Sequence, residues 1–249
     1  MLDLIRGRRA VLVLVGLPAL LVALALLDVI PGGWRLRTLF VSQQVQDQRR
    51  RATHRDERLA QFAAEPQPPP GGSLFIGSST IERFPLRSLL AALKPINRGI
   101  GDEDLVGLEA RALKTAARLE PRHVVLYAGS VNVRRPVTDG SWTSAEEIVE
   151  RATSLSRRLL ELPTVERVIL VGILPERETG PRLRARIEAV NAGLADSGTP
   201  GIVFLPTARE PLIDPDGNLR SAFAADRLHL NTKGYLILAG WLTDLLERK

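Results

Sequence analysis

The chain contains no cysteine in 249 residues, a single methionine, three histidines and aromatic side chains at only 4% of positions. Without thiols there is no disulfide framework, no zinc–thiolate site and no cysteine nucleophile, so any covalent chemistry falls to another side chain. The dearth of aromatics removes the stacking surfaces that single-stranded nucleic acids use. The formal charge of +6 looks basic, but it is unevenly spread. Residues 1–64 hold ten Arg and five acidic residues, whereas residues 65–249 hold 24 Lys or Arg against 23 Asp or Glu. A nearly neutral body lacks the electrostatic footprint of a nucleic-acid reader, and no such partner is expected. Internal repeats of 20–50 residues are missing as well.

Apolar content is not lacking: at 45% of residues it suffices for a full core. One stretch of it stands apart. After "MLDLIRGRR" runs "AVLVLVGLPALLVALALLDVI", Ala10 to Ile30, charged only at Asp28. At about 1.5 Å per helical residue it spans roughly 30 Å, the hydrocarbon thickness of a bilayer. Pro18 is tolerated in a membrane helix. A cleaved secretory signal is the rival reading, since "ALA" at Ala23 to Ala25 resembles a cleavage site. The run continues beyond it and exceeds the usual signal core of about 7 to 15 residues, which favours an uncleaved anchor. Arg6, Arg8 and Arg9 precede the segment, while Arg35 and Arg37 follow it. That small bias places the amino terminus in the cytoplasm and the bulk of the chain outside it, periplasmic or at the cell surface.

The expected organisation is therefore a membrane anchor with its flanks over 1–37, a polar helical stalk and Pro/Gly linker over 38–72, and a globular domain over 73–249. The linker "EPQPPPGG" cannot continue a helix. His54, on the stalk among arginines, reads as a solvated side chain. In the domain, short apolar runs "SLFIG", "PINRGI", "HVVLYAG", "RVILVGIL" and "GIVFLP" alternate with helical patterns near 104–119, 143–161, 181–196 and 232–248. Nearly all-apolar strands separated by helices call for a parallel sheet covered on both faces, an α/β layered fold.

Ligands of such sheets bind beyond the carboxyl ends of the strands. The residues there are "GSST" (Gly77 to Thr80), "NRGIGDED" (Asn97 to Asp104), "AGSVNVRR" (Ala128 to Arg135) and, after the fifth strand, "DRLHLNTKGY" (Asp226 to Tyr235). They supply a hydroxyl, a glycine turn, an amide and an Asp/His pair three residues apart, the parts that nucleophilic acyl chemistry needs. No GxSxG elbow surrounds Ser79. "DPDG", Asp214 to Gly217, reads as a β-turn and not as a calcium loop. His123 reads as structural, and Arg134 and Arg135 as a solvated pair, with contact to an anionic substrate as the other reading.

In family order, "FIGSST", "INRGIG", "VVLYAG" and "DRLHLNTKGY" resemble the blocks of the SGNH hydrolases, the GDSL-like lipase and acylhydrolase superfamily, with Gly-Ser-Ser replacing Gly-Asp-Ser. The resemblance covers about residues 72–248. It implies a flavodoxin-like three-layer sandwich with five parallel strands, a serine esterase acting on an acyl ester, and no cofactor or metal. It carries the nucleophile to Ser79, the base to His229 and the partner carboxylate to Asp226. For the oxyanion it points to the backbone at Gly101 and Asp102 and to Asn132. Two positions depart from the pattern: Asp102 stands where the family usually has glycine, and Val131 where it has the asparagine, so Asn132 lies one residue late. A hydrolase, an acyltransferase using the same groups and a non-catalytic binding module all remain open at this point.

Overall fold

The computed structural model describes residues 43–136, 141–196 and 198–247, together with Leu24. The membrane segment expected over Ala10 to Ile30 lies outside the described residues, Leu24 excepted. Among the described residues, no helix is long and apolar enough to cross a membrane. Two compact units divide the chain, residues 1–53 and 54–249. Of the first, the described stretch is Gln43 to Thr53, helical and polar, with Arg50 paired to Asp47 within one turn.

The second unit is an α/β sandwich. Helix α1 (Gln43–Ala64) precedes strand β1 (Ser73–Gly77), two one-turn helices α2 (Ser79–Glu82) and α3 (Leu86–Leu89), and β2 (Pro95–Gly99). Then come α4 (Leu105–Leu119), β3 (His123–Tyr127), α5 (Ala145–Leu160), β4 (Arg167–Val171), α6 (Pro181–Ala195), β5 (Ile202–Leu205) and α7 (Thr232–Glu247). The five strands are all parallel in the order β2-β1-β3-β4-β5, the flavodoxin-like arrangement.

Alternation along the strands splits the core in two. Val124 and Leu126 of β3 face a layer built from α4, α5 and α6, with Leu108, Leu155 and Val190 in its interior. Val125 and Tyr127 face the opposite layer, where Ile81, Leu86, Leu238 and Leu242 come from α2, α3 and α7. Helix starts follow local chemistry. Asp104 Oδ1 accepts from the Gly107 N–H at the head of α4 (3.0 Å), Ser144 Oγ accepts from the Glu147 N–H at the head of α5 (3.1 Å), and Pro181 opens α6.

The stretch expected to stand off as a stalk is helical, but from His54 onward it belongs to the compact body. Phe62 is buried under the guanidinium groups of Arg58 and Arg98, each 4.7 Å from its ring centre. The His54 side chain remains open to solvent, as expected, but it is also engaged: its Nε2 lies 3.0 Å from Glu82 Oε2. Asp214 to Gly217 forms the turn read from its sequence. The Gly217 N–H donates to the Asp214 carbonyl, Gly217 has φ +76°, and the bridge between Ile213 and Leu219 closes the hairpin.

Candidate active site

Strand β1 lies inside the sheet, and the connections after β1 and β3 leave on opposite faces, which opens a crevice at their carboxyl ends. Ser79 stands there. The chain leaves β1 through Gly77 at φ +153°, where any Cβ would overlap the Tyr127 carbonyl, so only glycine lets β1 turn this close to β3. Ser78 is the N-cap of α2, with its carbonyl taken by Ile81 and Glu82 (both 3.0 Å). Its hydroxyl bonds Ser130 Oγ at 2.7 Å and thereby joins the loops after β1 and β3. Ser79 is the first residue of α2, so its N–H belongs to a first turn that has no intrahelical acceptor for it.

The Ser79 hydroxyl lies 2.9 Å from His229 Nε2, and His229 Nδ1 lies 2.8 Å from Asp226 Oδ2. Residues 150 positions apart are thus brought into one hydrogen-bonded line. The loop that carries the imidazole is closed by the Ala225 N–H donating to the His229 carbonyl and by the bridge between Ala224 and Leu230. Asp226 Oδ1 also accepts the backbone N–H groups of Leu228 and His229, each at 2.8 Å, a local turn that orients its carboxylate. Burial alone would raise the Asp226 pKa, but these two backbone donors and the His229 ring outweigh it and hold the carboxyl well below the usual carboxylate range. With Asp226 ionised, Nδ1 carries the ring hydrogen and Nε2 is left to accept from the serine hydroxyl. The Arg83 guanidinium donates to Asp226 Oδ2 at 3.2 Å from the solvent side.

Helix α7, which begins just after this loop, returns to brace the nucleophile. Tyr235 donates its hydroxyl to the Thr80 carbonyl at 2.9 Å and stacks on Phe84 with ring centres 4.8 Å apart. Burial pushes the Tyr235 phenol pKa up, so the group stays a neutral donor.

The residues expected around the oxyanion are arranged differently from one another. Gly101 and Asp102 lie in the turn after β2, and Asp102 adopts the left-handed conformation, φ 62°, that suits the glycine usual at its place. The Gly101 N–H donates to the Glu82 carboxylate. Arg135 donates to the Asp102 carbonyl at 2.8 Å and stands 3.6 Å from its carboxylate. Asn132 is 2% exposed, and its amide faces the framework: Oδ1 accepts from the Leu105 N–H at the head of α4 (3.0 Å), and Nδ2 lies 3.4 Å from Thr143 Oγ1.

The arginine pair expected to be solvated is engaged. Arg134 donates to the carbonyls of Ser130 (2.7 Å) and Leu174 (2.6 Å) and pairs with Glu176, which also takes Arg227 at 2.8 Å. This clasp links the third loop to the residue beside Asp226. His123 sits at the opposite edge of the sheet, 3.5 Å from Ser73 Oγ; burial, then Arg122 and Arg167, lower its pKa. Glu82, Arg83 and Tyr235 went unread in the sequence, because nothing in spacing or composition marks an acid, an arginine and a phenol that meet only after folding. Among the described residues, no group of three His, Asp or Glu side chains is disposed to hold a metal ion.

Fold and site together define a parallel α/β protein with a hydroxyl aligned on an imidazole–carboxylate pair at the carboxyl edge of its sheet. The profile of the GDSL-like lipase/acylhydrolase family matches residues 75–237, and the chain belongs to that family, whose members are hydrolases acting on esters. Solved structures share the architecture. A GDSL-like lipase from Bacteroides thetaiotaomicron superimposes with a TM-score of 0.65 at 20% identity, covering 78% of this chain and 97% of that one. An acetylxylan esterase from Geobacillus stearothermophilus does so with a TM-score of 0.56 at 18% identity, covering 74% and 98%. No curated protein matches the chain.

Proposed function

We propose that this protein is a membrane-anchored serine esterase of the Gly-Ser-Ser type that cleaves an acyl ester outside the cytoplasm. The observation that carries the reading is the line from Ser79 Oγ through His229 to Asp226. In it, Ser79 Oγ attacks the ester carbonyl while its proton passes to His229 Nε2, and Asp226 stabilises the imidazolium. The tetrahedral oxyanion rests against the N–H of Ser79 and the backbone of Asp102, the Gly101 N–H being committed to Glu82. Collapse expels the alkoxide, which takes the proton from His229. Water, deprotonated by the same imidazole, then attacks the acyl-enzyme; the acyl–Oγ bond breaks, the acid leaves and Ser79 Oγ takes the proton back from His229. A sugar hydroxyl in place of that water would make the reaction an acyl transfer. The substrate is an acyl ester of one of two classes, an acetyl ester of a glycan or a lipid ester, in keeping with the acetylxylan esterase and the GDSL-like lipase that share the fold.

One observation favours a second reading, a non-catalytic anchored module. Asn132 directs its amide to Leu105 and Thr143, and the side chain of Val131 has no donor to replace it. Loss of one oxyanion donor typically costs about 2.7 to 4 kcal/mol, on the order of a hundred- to thousandfold in turnover. The two readings part when the full-length protein in detergent is treated with p-nitrophenyl acetate and a fluorophosphonate probe. The esterase turns over the ester and is labelled at Ser79, and Ser79→Ala loses both; folded wild-type protein that does neither would sink the enzyme reading. Orientation is tested separately: protease added to intact spheroplasts degrades the domain, and full protection would reverse the proposed topology.

A further inference from the structure

The turn after β2 carries the backbone assigned to the oxyanion, and side chains on α1 grip it from outside. Arg58 donates to the Gly99 carbonyl through Nε (3.3 Å) and Nη2 (3.1 Å), fixing one end. Glu103, whose side chain is two per cent exposed, is held by Arg111 at 2.8 and 2.5 Å and lies 3.9 Å from Arg55, fixing the other. Between them sits Glu82. Its Oε2 accepts the Gly101 N–H and lies 3.0 Å from His54 Nε2, and its Oε1 is 3.8 Å from Arg58 Nε. Space is as tight as the bonding: a Cβ at Gly101 would stand 2.9 Å from Glu82 Oε2 and 3.2 Å from His54 Nε2.

Glu82 is also the last residue of α2, the four-residue helix that Ser79 begins. One short element therefore holds the nucleophile at one end and the oxyanion turn at the other. Asp102 sits in that turn at φ 62°, a strained conformation for a side-chain-bearing residue that persists only where the surroundings over-determine it. Resting on the esterase reading above, we propose that Glu82, clamped by His54 and Arg58, is a positioning residue that sets the Asp102 backbone against Ser79, and that α1 from His54 onward is part of the catalytic body. A donor misplaced by about 1 Å forfeits much of its transition-state stabilisation while leaving ground-state binding alone.

The test uses the full-length protein in detergent and a short aryl ester. Glu82→Ala is expected to lower kcat about 10- to 100-fold with KM within threefold, part of the loss that removing a donor outright produces. Glu82→Gln keeps an oxygen that accepts from Gly101 and is expected to retain at least a third of wild-type kcat. Should Glu82→Ala not fold, Arg58→Met loosens the same carboxylate from outside and is expected to lower kcat about three- to tenfold. A folded Glu82→Ala with wild-type kcat, or a Gln variant that falls as far as the Ala variant, overturns the proposal. Wild-type protein without turnover or Ser79 labelling fails the esterase reading instead, so the two failures are told apart.

Discussion

His229 is aimed by a carboxylate that is itself aimed: Asp226 accepts two backbone N–H groups, the ring Nδ1 and Arg83. Because its folded-state pKa is depressed, Asp226 contributes stability above the ordinary aspartate value of 3.8, and that contribution is lost as pH falls through the lower folded value. It therefore remains a carboxylate wherever the protein is active. Asp226 should then add no step of its own to the acid limb of log kcat/KM against pH; a limb that steepens to a slope of two would mean that Asp226 titrates there. Asp226→Asn keeps the volume but lets the wrong ring nitrogen carry the hydrogen. A loss of about 10⁴ in kcat is expected, measured with p-nitrophenyl acetate, and a loss below tenfold would deny Asp226 that role. The Asp/His pair was legible because three-residue spacing in a polar turn is local chemistry. The fate of Asn132 was not, since its amide is claimed by Leu105, 27 residues earlier, and no local pattern encodes that.

At the scale of elements, the five strands and four long helices were legible because buried parallel strands are nearly all apolar and the helices keep their period. Their ends were not. The runs read as reaching 129 and 174 leave the ladder at Tyr127 and Val171, yet Ile173 and Leu174 stay buried, so the apolar signal outlasts the pairing. Beyond β4 the chain is held by a side chain instead, Asn191 bonding both the N–H (2.7 Å) and the carbonyl (2.9 Å) of Ile173. Helices α2 and α3 escaped because four residues make no period. The placement of α2 depends on Gly99, where any Cβ would overlap the backbone of Ile81 and Glu82. Gly99→Ala must push α2 away from β2. The expected cost is about 1 to 3 kcal/mol in a denaturant titration, with kcat falling as Ser79 moves. A variant with wild-type midpoint and kcat would show that α2 does not need that contact.

For the molecule as a whole, one sheet serves two cores, and the alternation along β3 makes each depend on the other. Leu155 of α5 is buried on one face and Leu242 of α7 on the opposite face, at 1% and 0% exposure. Truncating either to alanine should cost about 2 to 5 kcal/mol, a large share of the 5 to 15 typical of a domain. Strands that present side chains alternately to both layers cannot keep one face ordered when the other is lost, so unfolding should be a single event. Two tryptophans report on it from opposite sides: Trp142 under Arg186 of α6, and Trp241 of α7 under Arg209. With Trp34 replaced by phenylalanine, guanidinium titrations of single-tryptophan variants should give coincident midpoints. Both midpoints should drop together in Leu155→Ala and in Leu242→Ala. If Leu242→Ala lowers only the Trp241 transition and leaves Trp142 at its wild-type midpoint, the layers unfold independently and the shared-sheet account fails.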